Sequence, residues 1–312
     1  MEYNMKGRIV KELFPPPGFR PESASASQLD EYGFPPRPTD PAQLARWQDE
    51  MGRWTGTVPA APFLAETHAT VSGVTSSPTA DTVKHSIWAG YVVTAEPNSL
   101  DSFSHAEGWY VEPTMAASRC PNPSEVTWAG LGGYYDPYNG GWLAQNGTGW
   151  NVPGLGAHQA WWEIVPENGI TPVPNFYGTP GQVFDASVRN IGNAFRFWFM
   201  NYQTGKSTVF DEPYPSSNAH SAEVIIERPS INGVAADLAN FQTWYVYQSE
   251  AWINFFTNGT TFDNFPPNLN SAGLWRHGLH MYNYSTGKYY AEPSSILAPG
   301  QFSVTQESCD GT

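Results

Sequence analysis

Two stretches of the chain carry carboxylates in patterns that suit acid–base chemistry. In Ala222-Glu-Val-Ile-Ile-Glu-Arg228, strand alternation sets Ala222, Val224 and Ile226 on one face and Glu223, Ile225 and Glu227 on the other. An acidic row among β-branched residues is unusual for a merely solvated face, where Thr and Lys are commoner. In Gln159-Ala-Trp-Trp-Glu-Ile-Val-Pro166, Trp161 and Glu163 share a face. A carboxyl beside indole loses water, which raises its pKa into the range where it can take up and return a proton. The plain alternatives are an exposed edge-strand face for the first stretch and a rim glutamate for the second.

Other chemistries lack their residues. The sequence has no Gly-x-Ser-x-Gly elbow, His-Glu-x-x-His helix, phosphate-binding Walker loop or Asp-Thr/Ser-Gly pair. His277 and His280 stand three apart in a strand-like context and so face opposite ways, which reads as surface or turn histidines in preference to paired metal ligands. Cys120, His105 and Asp136 form no nucleophile pattern, and two cysteines suffice for one bridge or two thiols but not for a structural zinc site.

The elements that must position these groups are β-strands. The 312 residues include 29 acidic against 15 basic side chains, a net charge of −14 that excludes a general nucleic-acid binder. Aromatic residues reach 15% and charged ones only 14%, enough to bury a large core. No apolar run approaches the ~20 residues that span a bilayer, and no signal peptide is visible at the start. From His85 onward, fourteen short segments alternate with Gly, Pro and Asn punctuation: 85–94, 106–112, 124–131, 141–146, 158–165, 182–190, 194–202, 206–211, 222–228, 242–248, 250–256, 278–284, 288–291 and 301–306. That many strands predicts an all-β sandwich or barrel. Asn201-Tyr-Gln-Thr-Gly-Lys206 recurs as Asn283-Tyr-Ser-Thr-Gly-Lys288, read as two hairpins with the same turn. The sequon-like Asn146-Gly-Thr148, Asn258-Gly-Thr260 and Asn283-Tyr-Ser285 are likewise read as turns.

Residues 1–80 differ. Phe14-Pro-Pro-Pro17 and Phe34-Pro-Pro-Arg-Pro38 are stiffened, extended segments, and one helix is expected after Asp40, with Leu44, Trp47 and Met51 as its apolar stripe. Residues 58–82 read as a linker. The expected organisation is a mostly irregular N-terminal extension or pro-segment over 1–80, separable from a β domain over 81–312.

Taken in order, the motifs resemble those of the glutamic peptidases, or eqolisins. They are Ile87-Trp-Ala-Gly-Tyr91, Thr127-Trp-Ala-Gly-Leu-Gly-Gly133, Leu143-Ala-Gln-Asn-Gly-Thr148, Ala160-Trp-Trp-Glu-Ile-Val-Pro166 and Ala222-Glu-Val-Ile-Ile-Glu227, with Phe199-Met-Asn-Tyr-Gln-Thr-Gly-Lys206 before the last. The resemblance implies an antiparallel sandwich of two seven-stranded sheets. It also implies an endopeptidase working at acidic pH through Glu227 as general base and acid and Gln145 as water-orienting oxyanion donor. Trp88, Trp128 and Trp161 would line or support the site and Glu163 would be a buried carboxyl beside it. No cofactor or metal is implied. Protein or peptide substrates, a monomeric state and secretion are expected, with no nucleic-acid or membrane partner. The chain departs from the family at Ile87 (Asn), Gly132 (Asp), Gln159 (Asp) and Val165 (Tyr). The competing reading is a non-catalytic or carbohydrate-binding lectin-like sandwich. A glucanase of that shape needs paired carboxylates on one strand face, and Pro166 and Val165 interrupt Glu163 and Glu167.

Overall fold

The computed structural model describes residues 2–5, 8–11, 16–32 apart from 17, the isolated positions 37, 41, 44 and 48, and 81–311 without 96–101, 135–141, 215–218, 256–258, 265–273 and 298–299. In chain order the strands are β1 (Glu2–Met5), β2 (Arg8–Lys11), β3 (Asp81–His85), β4 (Trp88–Ala95), β5 (Ser102–Val111), β6 (Pro123–Gly132), β7 (Leu143–Trp150), β8 (Gln159–Val165), β9 (Thr171–Tyr177), β10 (Val183–Asn190) and β11 (Ala194–Asn201). They continue as β12 (Lys206–Pro213), β13 (Ser221–Glu227), β14 (Ser230–Ile231), β15 (Val234–Ala235), β16 (Asp237–Leu238), β17 (Thr243–Phe255), β18 (Gly259–Asn264), β19 (Leu274–Asn283), β20 (Lys288–Pro293) and β21 (Phe302–Gln306).

Pairing resolves most of them into two largely antiparallel sheets; β3 runs parallel beside β19, β16 runs parallel beside β6, and β14 and β15 pair separately. The first runs β9–β8–β7–β6–β13–β4–β19, and the second β12–β11–β10–β5–β17, with β21 and β18 sharing the far edge of β17. β20 pairs with both β19 and β21, so the sheets are stitched along one side. The inner faces form the main core: Ala222, Val224 and Ile226 of β13 meet Phe184, Phe197, Phe199 and Trp244 there, as the alternation predicts. Removing such side chains from water contributes roughly 1.5–3 kcal/mol each. Among the described residues, no helix is long and apolar enough to cross a membrane.

Several strands depart from expectation for identifiable reasons. β9, absent from the sequence reading, contains Pro172 and Pro174, which an edge strand tolerates. The segments 242–248 and 250–256 are one strand, β17, whose register against β5 shifts between Val246 and Gln248 and so breaks the alternation. β7 runs on through Gly147 and Gly149. A Cβ on Gly147 would stand 1.7 Å from the Thr127 carbonyl, so the glycine that reads as a turn instead permits close strand approach. Asn146 and Thr148 are therefore buried strand residues, not the turn expected of that sequon. The repeated hairpin turn is present twice: Asn201 Oδ1 accepts from Gln203 and Thr204 N–H, Asn283 Oδ1 from Ser285 and Thr286 N–H, and Gly205 and Gly287 have φ of 66° and 75°.

The N-terminal residues are less irregular than expected. β1 and β2 form a hairpin, and β2 lies beside β12 at Lys11 and Val209. A helix, α1, spans Ala26–Glu31, its start closed by Ser25 Oγ accepting from Gln28 N–H and Gln28 Oε1 accepting from Ser25 N–H. Phe19, Ala24 and Leu29 are buried against Val183, Trp198, Met200 and Tyr202 on the outer face of the second sheet. Of the helix expected after Asp40, Pro41, Leu44 and Gln48 are helical, while Trp47, Met51 and residues 58–80 of the expected 58–82 linker lie outside the described residues, and its last two, Asp81 and Thr82, open β3. Cys120 and Cys309 are joined in a disulfide across 189 residues of chain.

Candidate active site

The outer face of the first sheet gathers every residue singled out for chemistry. Strand register lays them in rows. Glu227, the last residue of β13, stands opposite Trp88 of β4 and Val126 of β6. The next row holds Ile225, Trp128, Gly147 and Trp161, and the one beyond it Glu223, Gly130, Gln145 and Glu163. Glu227 and Gln145 therefore share a face but lie two rows and two strands apart, with Trp128 between them.

Two hydrogen-bonded groups result. Trp128 donates its indole N–H to Glu227 Oε2 at 2.9 Å, and the Trp88 ring meets the Trp128 ring edge-on at 5.1 Å. Gln145 Nε2 donates to Glu163 Oε2 at 2.8 Å, while Gln145 Oε1 is buried with no hydrogen-bond partner among the described residues. Burial pushes the Glu227 carboxyl up to about 8; the nearby Glu163 charge adds to this, and the indole N–H groups of Trp128 and Trp88 oppose it. Glu163 is raised to about 7 by burial, against the hydrogen bond from Gln145. A pair of carboxyls that hold protons near neutrality, beside an amide with an unused oxygen and a second N–H, can accept, store and deliver a proton while orienting water.

Glu223 and Ile225, which alternation sets on one face with Glu227, are both completely buried, and of the three Glu227 alone remains half-buried. The cover is a second apolar layer of Val126, Trp128, Tyr134, Leu143 and Trp161 packed on this face. Trp128 and Trp161 are themselves fully buried, so their rings act as packing around the carboxyls.

The sequence reading overlooked His85. Its ring stacks on Trp88 at 4.7 Å and its Nδ1 accepts from Trp88 N–H at 3.0 Å, which holds Trp88 against Trp128. Burial lowers its pKa to about 4. Its only signal was a histidine three residues before a motif tryptophan.

The departures from the family pattern have local structural causes. Gly132 has φ of +80°, and a Cβ there would lie 2.6 Å from the Trp142 carbonyl, leaving no room for an aspartate on this backbone. Gln159 ties its loop by accepting from Gly156 N–H and donating to the Val173 carbonyl. Val165 packs at the border of the apolar layer. Arg228 turns away, donating to the Ala236 carbonyl and stacking 3.9 Å from the Tyr290 ring centre.

No curated protein matches the chain. Among solved structures, the fold is similar to scytalido-glutamic peptidase with a transition state analog inhibitor, at 15% identity and a TM-score of 0.53, covering 72% of this chain and 99% of that one. It is also similar to scytalido-glutamic peptidase with a peptide based transition state analog, at 14% identity and a TM-score of 0.50 over the same shares. Residues 86–255, which carry all five motifs, match the model of the Peptidase A4 family. The chain thus belongs to the Peptidase A4 family, the glutamic peptidases that its motifs resemble, and is a peptide-bond hydrolase.

Proposed function

We propose that the protein is an endopeptidase in which Glu227 and Gln145 act on a water molecule. Glu227 in its ionised form takes a proton from the water as it attacks the scissile carbonyl. The same carboxyl then returns the proton to the leaving amine. Gln145 supplies an N–H to the developing oxyanion, and its unpartnered oxygen holds the water before attack. Glu163 is a positioning residue that fixes the Gln145 amide plane. Trp128 and Trp88 exclude water from Glu227 and temper its raised pKa. The observation that carries this reading is Glu227 itself: a half-buried, desolvated carboxyl held by an indole N–H at the open end of an otherwise closed face.

A carboxyl with a pKa of about 8 keeps its proton in acid, so the working base is a minority form there, but a strong one. Activity therefore climbs from strong acid toward neutrality, and the acidic range implied by the family is its milder part. The sugar-binding alternative needs indole rings presented to solvent. Among the described residues the exposed large hydrophobics are Tyr177, Val234, Tyr284 and Leu297, with no tryptophan among them.

The test is cleavage of denatured casein by purified wild type and Glu227→Gln between pH 3 and 8. Fragments from wild type but not from the variant are expected. Equal cleavage by both would remove Glu227 from the mechanism.

A further inference from the structure

On the opposite side of the sandwich, the outer face of the second sheet brings four ionisable side chains together. His105 and Glu107 alternate along β5 and share that face; Glu250 of β17 stands directly opposite Glu107, and Asp185 of β10 stands opposite Trp109, one row further on. His105, Glu107, Glu250 and Asp185 are all at most 4% exposed. Like charges directly opposite in neighbouring strands repel, and burial deepens that cost unless a countercharge is present. The protein supplies Arg189, opposite His105 in β10.

The arrangement has the dimensions of a coordination site. One ligand atom each from His105, Glu107 and Glu250 lies within 4.8 Å of the other two. His105 Nε2 and Glu107 Oε2 are 2.8 Å apart. Two donors each ~2.1 Å from a tetrahedral zinc ion stand about 3.4 Å apart, so the hydrogen-bonded pair has to open by roughly half an ångström to take the ion. The carboxylates are oriented by outer hydrogen bonds, Trp109 Nε1 to Glu107 Oε1 at 2.7 Å and Gln248 Nε2 to Glu250 Oε2 at 2.9 Å. Asp185 adds a further donor beside the cluster: it accepts from Tyr202 through Oδ2, its other oxygen is buried with no hydrogen-bond partner among the described residues, and the Glu107 charge acts on it.

We propose that His105, Glu107 and Glu250, with Asp185 as a further donor, bind a divalent ion of the zinc and manganese class. An imidazole among the ligands argues against calcium, which takes oxygen donors. Three ionised carboxylates, the Arg189 guanidinium and a dication sum to zero charge. The ion would serve the fold, tying β5, β10 and β17 across the middle of the second sheet, on the side away from Glu227. The ligands come from three strands spread over residues 105–250, so sequence spacing gives no hint of them.

The experiment uses untagged full-length protein dialysed against chelator, with Zn²⁺ or Mn²⁺ alone titrated at pH 7 by calorimetry and thermal unfolding followed in parallel. One ion per chain and a raised Tm are expected, with affinity lost by about tenfold or more in Glu250→Gln and His105→Ala. X-ray absorption on zinc-loaded wild type, which needs no variant to fold, should show one imidazole among oxygen donors. No stoichiometric binding to wild type, undiminished binding in both folded variants, or a shell without a single imidazole would each overturn the site. The first of these results would mean that Glu107 and Asp185 share a proton in place of an ion.

Discussion

Trp128 donates its indole N–H to Glu227 while the far edge of its ring lies over Gly130, 2.7 Å from where a Cβ would stand. One side chain therefore spans the distance between the Glu227 row and the Gln145 row, and its seat depends on a glycine. Trp128→Phe keeps an aromatic ring, smaller than the indole, and removes the donor. Without that donor the charged form of Glu227 is less favoured, so its pKa rises further and the rising limb of kcat/KM against pH moves to higher pH. Gly130→Ala should shift the limb the same way by pushing the ring off its seat. A profile unmoved in Trp128→Phe would show that this hydrogen bond does not tune the base.

Glu227→Gln keeps shape and most packing but removes the proton acceptor. A loss of ~10²–10⁴ in kcat is expected with little change in peptide binding, because general acid–base catalysis contributes about that much. Steady-state kinetics, with circular dichroism to confirm the fold, decide it.

Gln145→Ala removes the oxyanion donor and should lower kcat by roughly 10²–10³. Glu163→Gln retains a hydrogen-bonding partner for Gln145, so its loss should be smaller. It also removes a negative charge near Glu227, which moves the Glu227 limb to lower pH. A larger kcat loss for Glu163→Gln than for Gln145→Ala would reverse the roles assigned to the pair.

Stability should fall as pH rises above neutrality. Glu227 and Glu163, raised to about 8 and about 7, and Glu125, raised well above its ordinary value by burial, all hold protons in the fold that the unfolded chain releases near pH ~4.3. Their contribution is complete below that unfolded value and is lost as pH climbs through the folded ones. His85, lowered to about 4, acts in the opposite sense, but only below its unfolded value of ~6.5. Between pH ~6.5 and 8 the carboxyls act unopposed, and Tm should drop across that interval. A Tm that rises from pH 6.5 to 8 would contradict this.

The Cys120–Cys309 bridge closes a loop of 189 residues, for which chain entropy predicts roughly 5 kcal/mol of stabilisation. Cys120→Ser combined with Cys309→Ser should lower the denaturation midpoint accordingly, and reductant should do the same to wild type but not to the double variant.

Much of the sandwich was legible because alternation is a local property. Val224 and Ile226 enter the core as their positions in β13 dictate. Exposure of the opposite face was not legible, because Ile225 is covered by Trp128, Leu143 and Tyr134 from neighbouring strands and loops and Glu223 is buried as well. Ser25-Ala-Ser-Gln28 is a readable capping pattern that the proline-rich surroundings obscured, so α1 went unforeseen. Gln145 stood out only by family resemblance, since an amide carries no charge or periodicity that singles it out. His105, Glu107, Asp185 and Glu250 meet only through register between strands.

The stitch made by β20 between β19 and β21 bears on how the protein would behave in acid. In acid the carboxylates that give the chain its charge of −14 are neutralised, and mutual repulsion between molecules fades. Unpaired strand borders then become templates for edge-to-edge aggregation. Closing one side of the sandwich through β20 removes a border from each sheet at once, and β2 shields part of another by pairing with β12. The cover over those borders consists of backbone pairing, which side-chain protonation does not alter.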